Sequence, residues 1–263
     1  MSTQLMLSLI SGIFISSIAA YLGTLMLSKK MTIVAGPLAH LAFPGVALAL
    51  VFGFNISIGV FPFVIVGAIL IWYLEKKTKL PLENLSAIIF ASGVGIGLLF
   101  LPIDKAEEAL VGSIISITPV ETFLVIVLSI LVFFVTRHIY KKVILINIHE
   151  GLAKVEGINV DIYNLIYLLS IAIVVALSVY LVGALITAAL IAIPPASAKN
   201  ISNSFRSYKI WAVLFGVVSA VLGIVISRIF GLPTGPVVVL VGVMIFLFSI
   251  IFKKNSWKIE GSY

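Results

Sequence analysis

The chain has 263 residues, 62% of them hydrophobic and only 10% charged, with a mean hydropathy of +1.27. This excludes an ordinary soluble domain, and repeated apolar runs of about 18 residues or more indicate a multi-pass membrane protein. The absence of cysteine excludes disulfides, zinc–thiolate sites and a cysteine nucleophile, and the net charge of +7 is explained first by membrane orientation, with no nucleic-acid partner required.

Apolar runs between charged or Pro/Gly-rich breaks predict one transmembrane domain over 1–263, an all-α bundle of about nine spans and eight to nine true helices. The spans fall near 4–28, 31–54, 56–74, 86–102, 120–138, 162–181, 183–198, 210–230 and 236–252. The first run has no basic segment before it and is followed by Lys29 and Lys30, which fits a retained helix with its N-terminus outside rather than a cleaved leader. In the fourth span, "ASGVGIG" spaces Gly93 and Gly97, and also Ala91 and Gly95, as small-residue pairs suited to close helix contact or to a dimer face. The segment 109–117 is too short to cross and reads as re-entrant or surface-lying. The sixth and seventh spans share one apolar stretch, with Gly183 as the predicted break.

Orientation supports this reading. With the N-terminus outside and the C-terminus cytoplasmic, the segments 29–30, 75–85, 137–161, 199–209 and 253–263 face the cytoplasm and hold 15 of the 17 Lys and Arg. Trp72, Trp211 and Trp257 lie beside those basic segments, where interfacial anchors belong.

Within the second span, His40 lies ten residues beyond Lys30. That is roughly 15 Å of helix, near mid-membrane. An ionisable residue at that depth points either to a functional site or to a buried imidazole that ties two helices together. Pro44 has no N–H for the carbonyl of His40, and Pro37 has none for that of Ile33, so the helix is predicted to open where the ring sits. Irregular backbone at this depth is tolerated when buried in protein or lining a cavity, and a freed carbonyl beside an imidazole can hold a cation. Pro194 and Pro195 are expected to end the seventh helix and free the carbonyls of Leu190 and Ile191, with Thr187 and Ser197 supplying hydroxyls nearby. Asp104, Glu107, Glu108 and Glu121 gather on the outer side, as solvated loop charges, a docking surface or a means of attracting cations.

Three stretches occur in one order: "AHLAFPGVALAL", "VGALITAALIAIPPASA" and "GLPTGPVVVLVG". With "LSAIIFASGVGIGLLFL" and "VGSIISITPVE", they make the chain resemble the permease subunit of ABC importers for zinc, manganese and related divalent metals. The resemblance implies a homodimer around a translocation path. It also implies a cytoplasmic ATP-binding subunit and an extracytoplasmic metal-binding delivery protein as partners. On this reading His40 is the metal residue, with Pro44, Thr187 and Pro194 along the path. A cytoplasmic coupling segment at 141–161 carries Glu150, Ala153 and Gly157, with Asn147 suited to cap its short helix and Gly157 to end it. The chain has no G-x-x-x-x-G-K-[ST] loop, so it is not an enzyme on this reading; it binds no cofactor of its own, and ATP is used by the partner.

Three positions depart from the family pattern: Gly36 stands where an acidic residue is usual, Ala39 where serine is common, and His149 where an acidic residue often opens the coupling helix. One imidazole cannot form a metal site alone, so a second His40 across a dimer axis or main-chain carbonyls must contribute. Two rival transport readings are an ABC permease for a non-metal solute and a secondary transporter driven by an ion gradient. The second rival usually needs intramembrane carboxylates, which these spans lack. A third rival, an intramembrane serine protease, would pair Ser92 with His40, but Phe90 stands where such enzymes of the rhomboid type carry glycine.

Overall fold

The structure, a computed structural model, describes residues 3–28, 32–100, 117–183 and 187–252. Every regular element among them is a helix. In chain order these are α1 (Thr3–Ser28), α2 (Thr32–His40), α3 (Ala42–Phe52), α4 (Ile56–Thr78), α5 (Leu82–Phe100) and α6 (Pro119–Ile148). They continue with α7 (Glu150–Val155), α8 (Val160–Val182), α9 (Thr187–Ile201), α10 (Phe205–Phe230) and α11 (Thr234–Ile251). Only helices satisfy their own backbone without water or a closed barrel, so apolar runs of this length fold this way in a membrane.

Six helices among the described residues are long and apolar enough to cross a bilayer; Ala35–Ala49 and Asn84–Gly97 are shorter apolar stretches. The architecture is a polytopic helical bundle. At 15 residues α9 is short, while α6, at 30, runs ten residues past its predicted end at 138. Residues 29–31, 101–116, 184–186 and 253–263 carry several of the sequence expectations, namely Lys29, Lys30, Asp104, Glu107, Glu108, nearly all of the short 109–117 segment, and Trp257; all these lie outside the described residues.

At the centre stands α1, which packs against α6, α8, α9 and α10. Its Leu22, Leu25 and Met26 are fully buried, and so are Ser11, Ser16 and Thr24. Lipid is as apolar as leucine, so close approach and hydrogen bonds must hold such helices together. The Ser11 hydroxyl donates to Thr122 at 3.2 Å, Thr24 and Tyr140 share a bond of 3.2 Å, and Asn200 donates to Ser249 at 2.9 Å. Each such bond contributes on the order of 0.6 kcal/mol.

The predicted break at Gly183 is present. Here α8 ends at Val182, and Gly183 takes φ 81°, ψ 168°, a conformation closed to residues with a Cβ. The predicted stop at Pro194–Pro195 is absent, because α9 runs through both prolines to Ile201. The prolines cannot donate to the carbonyls of the preceding turn, and one of these, that of Ile191, lies against α1 at Gly23. A Cβ on Gly23 would stand 2.1 Å from the Ile191 oxygen and 3.0 Å from Pro195 Cγ. Buried between two helices, the loosened turn keeps its helical path.

Candidate translocation site

The second span is divided between its prolines, without leaving helical geometry. Helix α2 stops at His40 and α3 starts at Ala42, with Leu41 at φ −68°, ψ −14° and its N–H donated to the Pro37 carbonyl at 3.2 Å. This turn is covered by α5, where a Cβ on Gly93 would lie 3.3 Å from the His40 carbonyl oxygen and 2.9 Å from Leu41 Cδ2. Gly97 meets the Phe43 ring, at 2.2 Å for a built Cβ. The Gly93–Gly97 pair therefore serves contact within the chain, whereas Ala91 and Gly95 are exposed.

The His40 imidazole is half-buried and packs edge-on against Phe90, the ring centroids 4.6 Å apart at 83°. Among the described residues it makes no hydrogen bond, and no group of three or more His, Cys, Asp or Glu is placed to hold a metal. One turn back, Gly36 faces α9, with room for a Cβ at 3.8 Å from that of Ala188. The residue before Ala188 is Thr187, fully buried, its hydroxyl donating to the Gly183 carbonyl at 2.6 Å. Ser197 likewise donates to Ile193 at 2.9 Å. Thus α2 and α9 bring the His40 helix beside Thr187, while the turn around Pro194 faces α1. Both hydroxyl protons are thus held by carbonyls of the preceding turn.

Ser92 is exposed and donates to its own helix at Ile88, 2.9 Å away. Glu121 closes a capping box on Thr118 and accepts from Asn55 at 2.7 Å, so it anchors the start of α6. Two clefts of about 360 and 350 Å³ lie elsewhere, one against Phe61, Leu124 and Leu177 and the other against Ser8, Ser227 and Arg228. Neither is lined by His40.

At the basic end, α6 carries the chain beyond the apolar zone to a sharp extended residue, His149 (φ −155°, ψ 92°), before α7. His149, without a side-chain cap bond, holds the N-cap position predicted for Asn147, which remains inside α6 with its amide buried. Gly157 ends the turn at φ 75°, as predicted. Ala153 is fully buried against Ile146 and Val160. Its small size lets α7 sit closely on its own chain. Glu150 and Lys154 form an exposed ion pair at 2.6 Å, which pushes the Lys154 ammonium above its ordinary range. The outward face is apolar: Ile148, Leu152 and Val155 are 67%, 52% and 86% exposed. Within α7, the i, i+3 spacing of Leu152 and Val155 was available in the sequence but is masked by the charges around it.

A family model described as "ABC 3 transport family" matches residues 1–253. The chain is 29% identical over 258 residues to the high-affinity zinc uptake system membrane protein ZnuB of Haemophilus influenzae, covering 94% of this chain and 97% of that one. It is 24% identical over 253 residues to the manganese transport system membrane protein MntC of Listeria monocytogenes, covering 95% and 90%. Among solved structures, PsaBC from Streptococcus pneumoniae in complex with Fab superposes with a TM-score of 0.81 at 24% identity, over 94% of this chain and 91% of that chain, a likeness of fold.

Proposed function

Because the chain belongs to the ABC 3 transport family, we propose that this multi-pass protein of the cell membrane imports a divalent transition metal, zinc or manganese, by ATP-driven alternating access. The observation that carries the reading is the half-exposed imidazole at the division of the second span, between Pro37 and Pro44, in a chain whose relatives are named for these two metals. Nine crossings follow if α2–α3 counts as one and α5 and α9 each cross. The basic ends of the helices then face the cytoplasm. A second copy brings another His40 toward the same path, and the exposed α5 face with Ile88, Ile96 and Leu99 supports such a contact. An extracytoplasmic metal-binding protein delivers the ion.

Hydrolysis belongs to a separate cytoplasmic subunit, and the coupling segment 141–161 is where it docks. The apolar stripe on α7 fits a groove-seated helix, with Glu150 and Gly157 holding its shape. Reconstituted with its ATPase in vesicles, the complex is expected to take up radiolabelled zinc or manganese only when ATP is supplied. Uptake sustained by an ion gradient without ATP would overturn the reading in favour of a secondary transporter.

The docking surface has its own test. Leu152→Asp with Val155→Asp should cut co-purification of the ATPase by about tenfold or more, since a desolvated charge replaces apolar anchors at an interface centre. Membrane insertion should be unchanged, because both side chains are exposed in the isolated chain. Undiminished co-purification would move the coupling site elsewhere.

A further inference from the structure

At the basic end of the bundle, two cations gather around Tyr140, and among the described residues neither is paired with a carboxylate. Lys209 of α10 places its ammonium 4.5 Å from the centroid of the Tyr140 ring on α6. Arg137 lies three residues before Tyr140, the neighbouring position on one helix face, and is exposed. The ion pairs among the described residues are Lys76–Asp161 and Lys154–Glu150, so neither Arg137 nor Lys209 is in one. Arg206, one turn before Lys209 on its face, adds charge further out.

The platform beneath them is built. Tyr140 is buried and bonded to Thr24 of α1, and its ring stands 5.8 Å from that of Tyr21, itself 5.1 Å from Phe133. Both α6 and α10 pack on α1. Toward the membrane centre, the α1 stripe of Ile13 and Ser17 is left partly open, with Ile130 and Phe133 exposed on the Arg137 side of α6. Arg137 lies 18 residues into α6, about 27 Å from its outer end, which matches the hydrocarbon thickness and puts the cations at headgroup level.

We propose that this cleft binds one anionic phospholipid, its phosphate between Arg137 and Lys209 and an acyl chain laid along α1 between α6 and α10. Like charges from two helices repel unless an anion stands between them, and a lipid phosphate meets that need where the apolar cleft meets the membrane surface. The inference is independent of the transported solute.

Native mass spectrometry of the purified protein titrated with phosphatidylglycerol or phosphatidylcholine tests it. Wild type should favour the anionic lipid, and Arg137→Gln and Lys209→Gln should each lower that preference about fivefold, the ratio expected for one basic residue at a lipid surface. The double variant should show none, while Arg137→Lys with Lys209→Arg, and Lys199→Gln at an exposed site, should keep it. The single variants decide the matter if the double variant fails to insert. Equal retention of the two lipids by wild type would overturn the proposal. So would unchanged preference in the variants accompanied by loss of the ATPase, which would assign the cations to a protein partner.

Discussion

His40→Ala is expected to lower ATP-dependent metal uptake on the order of 10–100-fold while the protein still inserts and assembles. The range is that of disturbing even the groups around a metal ligand, and here an imidazole itself is removed. First-row divalent ions bind imidazole well, and main-chain carbonyls alone favour hard ions without selecting zinc. With glycine at position 36, no carboxylate one turn away can compensate. Folding should tolerate the change. The ring is half-buried, makes no hydrogen bond among the described residues, and has one edge-on contact with Phe90, worth about 1 kcal/mol. Phe90→Leu removes that same contact and should leave uptake near wild type. Radiolabelled zinc and manganese flux into vesicles, normalised to assembled complex, is the measurement. Wild-type flux by His40→Ala would reduce the residue to packing.

The place of the division in the second span was legible because its cause is local, but not its extent, since Leu41 keeps helical dihedrals and its bond to the Pro37 carbonyl. Pro44 removes a donor from a definable carbonyl four residues back, and no neighbour can supply an amide in its place. Gly183 was legible for a similar reason, being the one glycine in a stretch too long for a single span. The course of α9 was not, because its outcome depends on α1: Gly23 leaves space for the Ile191 carbonyl, and the sequence alone does not show that the two meet. The setting of Ala153 was not legible either. A small residue in a short helix suits either a partner or its own bundle, and only the fold shows it turned onto Ile146 and Val160. The cation pair needs three helices to assemble, so no linear pattern announces it.

Gly45→Ala is expected to destabilise the protein through a contact between two backbones. Helices α3 and α4 form a hairpin across Gly53, and at their crossing Gly45 and Gly59 lie face to face. A Cβ on Gly45 would stand 2.3 Å from the Gly59 oxygen, 2.5 Å from its carbonyl carbon and 2.9 Å from Val60 Cα. On Gly59 it would stand 2.2 Å from the Gly45 oxygen. No side chain can swing aside, so the helices must separate by about 1 Å to restore ordinary carbon–oxygen contact. Overpacking of this kind costs about 1–3 kcal/mol, or roughly 5 °C in melting temperature for a chain of this size. The displacement also reaches function, because Pro44 adjoins Gly45 and α3 starts at the break beside His40; uptake should fall with stability. Gly36→Ala is the control, since its methyl group meets Ala188 at an ordinary 3.8 Å and helix propensity favours alanine. Thermal unfolding of the purified variants should show a loss for Gly45→Ala and for Gly59→Ala and none for Gly36→Ala. Equal melting of all three would mean that α3 and α4 do not cross at these glycines.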